Sequence, residues 1–331
     1  KLIKEAILAI ENAKNPLILV GGAALEQNNL IKLAKVADKI GCEIKTDWFN
    51  ARLDKGAGRV NSVRIPYVVD KAVDILKSFD TILIIGARRP VAFFAYPNKP
   101  GVLTQDSTKF FELANVSDNI TNVIEELSDR VGISTEVPST ISKLNIPDIT
   151  KGTINPTTLG MVLGALIPEN AIVVDESVTT GREFFYQTAG SHPHTWLNNC
   201  GGSIGFGMPV AIGAAISCPD RKVISLEGDG SAMYTVQSLW TMARENLDIV
   251  VLIFANQSYK ILQGELTNVG VVNPGKSAME MLSLQDPSLD WVSLSKGMGV
   301  DAVRVDNLED LVKNFKNGLK MTGPYLIEVM I

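Results

Sequence analysis

Short, near-continuous apolar runs alternate along this chain with stretches of helical period, and that alternation restricts the fold more than any other feature. Pro16-Leu-Ile-Leu-Val-Gly-Gly22 reads as a buried strand ending in a glycine turn. Apolar residues at helical spacing follow (Leu30, Leu33, Ala34, Ala37) until Gly41 stops them. Thr81-Ile-Leu-Ile-Ile-Gly86 and Lys109-Phe-Phe-Glu-Leu-Ala114 read as further strands, with helices over 67–78 and 119–130. The opening Leu2, Ile3, Ala6, Ile7 and Ile10 also fall at helical spacing. Strands that are apolar on both faces, with helices between them, predict a parallel sheet covered on both sides.

The alternation lapses over 132–152, a stretch rich in Pro, Ser, Thr and Asn that has the composition of a linker. It then restarts. Asn155-Pro156 supplies a helix N-cap and a proline at the first helical position. Strands are expected over 171–174, 222–227, 248–255, 302–305 and 325–330, and helices over 206–217, 231–245, 289–298 and 307–320. The expected fold class is therefore α/β: two tandem doubly wound parallel-sheet domains, 1–131 and 153–331, joined by the linker 132–152. A chain of 331 residues is long enough for two such cores.

Charge and composition exclude several classes of function. Thirty-one Lys and Arg stand against 36 Asp and Glu, with no basic block, which argues against nucleic acid as a partner. No apolar run reaches the roughly 18 residues of a membrane span. The three cysteines, Cys42, Cys200 and Cys218, are widely spaced and lack a CxxC, as suits a reducing, cytoplasmic setting better than a disulfide framework or zinc cluster. His192-Pro-His194 has no neighbouring Cys or carboxylate and makes a poor metal site, though His194 is near enough to the segment beginning at Gly201 to be a candidate substrate contact. The glycine turn at Val20-Gly-Gly-Ala-Ala24 lacks GxGxxG, so dinucleotide binding is not expected.

The chemistry is concentrated in Leu226-Glu-Gly-Asp-Gly-Ser231 and Val250-Val-Leu-Ile-Phe-Ala-Asn-Gln-Ser-Tyr259. Asp229 falls just past a strand, where open α/β sheets place their ligands. Gly228 and Gly230 suit a tight turn and close approach of a ligand to the backbone. The amides of Gly230 and Ser231 open a helix, which suits phosphate oxygens. Asn256 ends the next strand at the same sheet edge. A carboxylate, an amide oxygen and a backbone carbonyl beside phosphate oxygens make a hard-oxygen site of the kind Mg²⁺ takes.

GDG followed by 25 residues and Asn resembles the cofactor and metal motif of thiamine diphosphate (ThDP)-dependent 2-oxo acid decarboxylases and carboligases. The resemblance implies Asp229, Asn256 and the carbonyl of Ser258 as ligands of Mg²⁺ on the cofactor diphosphate, with Gly228, Gly230, Ser231 and Tyr259 among the cofactor contacts. Gly201-Gly-Ser-Ile-Gly-Phe-Gly-Met-Pro-Val-Ala-Ile-Gly-Ala-Ala215 resembles a second stretch of the same family. There the Ile204 position wedges beneath the cofactor and the Gly202 carbonyl meets its 4′-amino group. Val174-Asp-Glu-Ser-Val-Thr-Thr180 resembles the diphosphate loop of benzoylformate decarboxylase-like members, with Val178 and Thr179 at the contacting positions. Ser231–Thr241, 255–262 and the Gly86–Pro97 segment look like acetolactate synthase large subunits. Ala255 and Lys260 depart from the residues many relatives have, which leaves the substrate open.

The resemblance implies ThDP- and Mg²⁺-dependent decarboxylation of a 2-oxo acid with carboligation, of acetolactate synthase type. A benzoylformate-type decarboxylase is the alternative, and a non-catalytic cofactor-binding subunit the alternative of another class. The first part of the chain resembles the family's central domain and the second its diphosphate-binding domain. The glutamate that activates the cofactor belongs in relatives to an amino-terminal pyrimidine-binding domain. No glutamate here is assigned that role, so the expectation is a fragment inactive on its own. FAD, held by some central domains, is possible but not supported: the Arg88-Arg89-Pro90 loop does not decide, and the non-flavin subgroup looks closer. A homodimer or homotetramer is the family's expected assembly.

Overall fold

Hydrogen bonding sorts the strands of this computed structural model into two parallel sheets, one in each of two compact units. Residues 2–149 and 151–331 are described; Lys1, at the start of the first expected domain, and Thr150, inside the expected linker, lie outside the described residues. The first unit runs to Asp54 and resumes over Gly58–Ser142; the second comprises Lys55–Ala57 and Lys143–Ile331.

The first unit contains α1 (Leu2–Glu11), β1 (Pro16–Val20), a 3-10 turn at Gly22–Leu25, α2 (Gln27–Ile40), β2 (Glu43–Thr46), a short β3 (Arg52–Lys55) at its boundary, β4 (Val63–Arg64), α3 (Val69–Leu76), β5 (Thr81–Ile85), β6 (Lys109–Ala114) and α4 (Ile120–Val131). Its strands run β4-β2-β1-β5-β6. The central strands β1 and β5 are buried at every position, the physical counterpart of their uninterrupted apolar runs. Leu17 and Leu19 pack with Ile82, Ile84, Val69, Ala72 and Leu76 into one core layer. Gly41 ends α2 at φ 82°, a left-handed cap that glycine takes without steric cost.

The described residues between α4 and Asn155 form neither helix nor ladder strand, but the stretch up to Asn145 is fastened down. Asn61 donates to the Thr140 carbonyl, Ser142 to Arg59, and the Ser139 amide to the Asp38 carboxylate at 2.7 Å. On the far side of Ser142, Asn145 donates to Gly190 within the second unit.

The second unit contains α5 (Pro156–Leu166), β7 (Ile172–Glu176), α6 (Phe184–Gln187), β8 (His194–Asn198), α7 (Gly207–Ser217), β9 (Val223–Gly228), α8 (Asp229–Ala232), α9 (Ser238–Arg244), β10 (Ile249–Ala255), α10 (Lys260–Asn268), α11 (Lys276–Met281), α12 (Trp291–Gly297), β11 (Asp301–Val305), α13 (Leu308–Lys320) and β12 (Tyr325–Met330). Asn155 caps α5 in a complete capping box, with Pro156 in the first turn. From β11 the strands follow β11-β12-β10-β9-β7-β8. From β7 the chain moves outward to β8, then returns to the other side of β7 with β9. The order therefore reverses between β7 and β9, and the crevice beyond their carboxyl ends is where doubly wound sheets bind ligands.

The helix predicted over 231–245 is a correction: α8 ends at Ala232, a 3-10 turn covers Met233–Thr235, and α9 begins at Ser238. Tertiary bonding explains the break. The Thr235 hydroxyl donates to the Gly205 carbonyl at 3.1 Å, tying the turn to the segment before α7. Gly205, at φ 88°, admits this approach because a Cβ there would stand 2.7 Å from that of Tyr234.

Candidate functional site

Three strand ends make a cleft in the second unit. Ser177, Val178, Thr179 and Thr180 follow β7; Gly228, Asp229, Gly230 and Ser231 close β9 and open α8; Asn256, Ser258, Tyr259, Lys260 and Ile261 follow β10, and Ile204 completes the lining. The parallel register brings these ends level: Glu176 stands opposite Glu227, and Gly228 opposite Phe254. Of the eleven residues singled out by sequence, only Gly202 is not among the lining. It is exposed at φ 69°, in a turn where Asn199 accepts from the Gly201 amide at 2.9 Å and donates to the Ser203 carbonyl.

Asp229 is the electrostatic centre. It is 3% exposed, and burial pushes its carboxyl up to about 6. Two backbone amides oppose that shift: Gln257 donates to Oδ2 at 2.6 Å and Gly230 to Oδ1 at 2.9 Å. No lysine or arginine ion pair to Asp229 is found among the described residues. A buried carboxylate with amide support but no cation is a costly arrangement that a divalent ion would relieve. The Asn256 side-chain oxygen faces the next turn, accepting from the Ser258 amide at 3.0 Å and hydroxyl at 3.2 Å. Ser258 itself is braced by a bridge to Ser283 whose bonds run from Tyr259 to Leu282 and from Leu284 to Gln257, leaving the Ser258 carbonyl out of both. One carboxylate, one amide oxygen and one such carbonyl are the donors a small hard cation prefers when phosphate and water complete its shell.

The backbone is strained here in unexpected places. Gly228 has φ −77° and Gly230 is helical, so neither supplies a left-handed turn. Gly230 is required instead by packing, since a Cβ would lie 2.6 Å from the Tyr259 ring. The left-handed residues are Val178 at φ 48° and Gln257 at φ 54°, one on each side of the cleft. For a β-branched valine that conformation is costly and is retained where the surroundings impose it.

Beneath the cleft, two carboxyl groups meet in the interior. Glu176 accepts from the amides of Phe206 at 3.2 Å and Gly207 at 2.9 Å, so it caps α7 and holds the segment carrying Ile204. Glu227 accepts from the Ser225 hydroxyl at 2.5 Å and has no exposed surface. Burial raises both, and the neighbouring Glu176 raises Glu227 further, so Glu227 is held protonated far above its ordinary range.

Sequence reasoning missed Ser177, Thr180, Lys260 and Ile261 as lining residues. All adjoin motif positions, and only the turn geometry after β7 and β10 aims them into the cleft. His194 turns out otherwise. It begins β8 at the amino-terminal edge of the sheet, opposite the cleft, where Nδ1 lies 2.7 Å from the His192 carbonyl and the ring is 3% exposed. In the first unit the ends of β1 and β5 approach closely: a Cβ on Gly86 would lie 2.3 Å from the Gly21 carbonyl, and one on Gly21 2.7 Å from that of Gly86.

Residues 181–329 match the family "Thiamine pyrophosphate enzyme, C-terminal TPP binding domain". The chain is 36% identical over 323 residues to the "Putative acetolactate synthase large subunit IlvX" of Mycobacterium tuberculosis, covering 97% of this chain and 62% of that protein. It is 34% identical over 179 residues to the benzoylformate decarboxylase of Pseudomonas aeruginosa, covering 54% of this chain and 32% of that one. Among solved structures, the thiamine diphosphate-dependent 4-hydroxybenzoylformate decarboxylase of Rhodococcus jostii RHA1 superposes with a TM-score of 0.80 at 27% identity, over 99% of this chain and 63% of that one. The chain thus spans less than two thirds of the length of these relatives. Residues 181–329 are similar to thiamine pyrophosphate enzyme C-terminal domains, and the chain is similar to an acetolactate synthase large subunit and to benzoylformate decarboxylase.

Proposed function

We propose that this chain, as a homologue of acetolactate synthase large subunits, holds ThDP and Mg²⁺ for decarboxylation of a pyruvate-type 2-oxo acid and transfer of the remaining acyl unit to an acceptor. The observation that carries the proposal is the convergence of Asp229, Asn256, Ser258 and the Gly230 and Ser231 amides on one cleft at the switch point. Asp229, Asn256 and the Ser258 carbonyl would hold Mg²⁺. Gly228, Gly230, Ser231, Val178 and Thr179 would line the diphosphate, with Tyr259 packed behind Gly230. Ile204 and the Gly202 carbonyl would meet the ring end.

When bound, thiamine diphosphate supplies the electron sink for the bond that breaks as carbon dioxide leaves. The chain's own residues bind and orient. Asp229, charged above pH of about 6, provides the anionic ligand; Glu176 fixes the amino end of α7 and so the height of Ile204. Turnover is proposed only where a pyrimidine-binding domain supplies the activating glutamate, in a homodimer or homotetramer. All three cysteines are free and no helix among the described residues is long and apolar enough to cross a membrane, and the proposed setting is the cytoplasm. No flavin is part of the proposal.

The test is a product assay on the chain joined to a pyrimidine-binding domain, with Mg²⁺ and ThDP present. Pyruvate should give carbon dioxide and acetolactate. Benzaldehyde from benzoylformate, with no ligation product from pyruvate, would replace this reading with simple decarboxylation, which the similarity to benzoylformate decarboxylase keeps as the second reading. No product from either would leave a non-catalytic, cofactor-holding role.

A further inference from the structure

The cleft has one cationic side chain, and its position is unfavourable for the helix that carries it. Lys260 lines the cleft with Asp229, Asn256 and Ser258, and no other lysine or arginine does. It is the first residue of the nine-residue α10. A cation there opposes the helix dipole, whose positive end favours anions. The next positions on its face, Gln263 and Gly264, offer no carboxylate three or four residues on, so no intrahelical ion pair compensates. Lys260 makes none of the ion pairs recorded among the described residues, and its side chain is exposed, so its charge has not been desolvated.

Charge balance in the cleft supplies the reason for a lysine. A diphosphate ester carries about three negative charges at neutral pH, its last ionisation falling near 6 like that of other phosphate monoesters. A divalent cation offsets about two of them, and Asp229 returns one. About two negative charges are then left at the diphosphate end of the site, where backbone amides and hydroxyls oppose them.

We propose that Lys260 is a further anion-binding residue of this cleft, its ammonium group pairing with the terminal phosphate oxygens of the cofactor. The inference rests on the ThDP reading above and adds a residue to it. The same anion that Lys260 neutralises also reverses the unfavourable charge at the start of α10, so occupation of the cleft and order at that helix end reinforce one another.

The test is calorimetric titration of the whole chain with Mg²⁺–ThDP and, separately, Mg²⁺–pyrophosphate, at low and high salt. The proteins are wild type, Lys260→Arg, Lys260→Gln, Lys260→Glu and Asp229→Ala. Lys260→Arg should stay within about threefold of wild type, Lys260→Gln should bind both ligands about tenfold more weakly, and Lys260→Glu about a hundredfold. Wild-type affinity should fall more steeply with salt than that of Lys260→Gln, because an exposed pair is screened. A flat Lys260 series beside an Asp229→Ala variant that no longer binds overturns the role of Lys260 and leaves the cofactor reading standing. Absence of binding by the wild type, or binding indifferent to Asp229→Ala, overturns both. Circular dichroism of each variant separates lost binding from lost fold.

Discussion

Asp229 shows how a single residue's chemistry can be legible while its energetics are not. Its place after a strand, its flanking glycines and the 25 residues between that GDG and Asn256 were readable from the sequence. The cost of its burial was not, because that depends on which amides reach it and on the lack of an ion pair to it among the described residues. An unfolded carboxyl near 3.8 and a folded one near 6 mean that the native state binds the extra proton between those values. Stability contributed by the protonated form is therefore present below about pH 4 and lost as pH rises through 6, amounting to on the order of 3 kcal/mol. Asp229→Asn loses the acceptor for one of the two amides, but it should lose less stability than wild type as pH rises from 4 to 8 in urea unfolding, while removing any stabilisation by Mg²⁺–ThDP. Equal stabilities for the two proteins across pH 4–8 would refute the burial argument. The glycines carried a different lesson. Gly228 and Gly230 suggested a turn of unusual backbone, yet the left-handed residues are Val178 and Gln257. No propensity marks a valine for that conformation; the surrounding loops impose it.

Among the elements, the buried strands and capped helices were readable because their signals are local. β1, β5 and β10 are near-continuous apolar runs, and α5 announces itself by Asn155-Pro156. What escaped were elements held by partners distant in sequence. β8 contains His, Thr and Asn beside Trp and Leu, and it is a strand because it pairs with β7. α10 and α11 have no buried residue, so no apolar face marks them. The break between α8 and α9 comes from the Thr235–Gly205 bond across 30 residues. The junction of β7, β9 and α7 yields a prediction at this scale. A Cβ on Gly207 would stand 2.2 Å from a Glu227 oxygen. Gly207→Ala should therefore cost about 1–3 kcal/mol of stability by overpacking. Glu227→Gln should be tolerated far better, since the native side chain is already protonated. A raised carboxyl destabilises the fold as pH climbs above its unfolded value, so the glutamine variant should also lose less stability between pH 6 and 9 than wild type. Guanidinium midpoints over that range check both; a Gly207→Ala variant as stable as wild type would contradict the packing described here.

For the molecule as a whole, the alternation of apolar runs and helical periods was enough for two parallel-sheet units, because parallel strands buried on both faces leave that mark in any sequence. Strand order was not legible, and strand order decides where a ligand goes: the reversal between β7 and β9 gathers loops from three separate parts of the second unit onto one edge. In the first unit the ends of β1 and β5 are held close together at Gly21 and Gly86. The central claim is thus regional as well as chemical. Hydrogen exchange on the chain with and without Mg²⁺–ThDP tests it most directly. The account predicts slowed exchange over 177–180, 228–232 and 256–261, absent in Asp229→Ala, with the first unit unchanged. Protection confined to the loops after β1 and β5, or equal protection in Asp229→Ala, would contradict it.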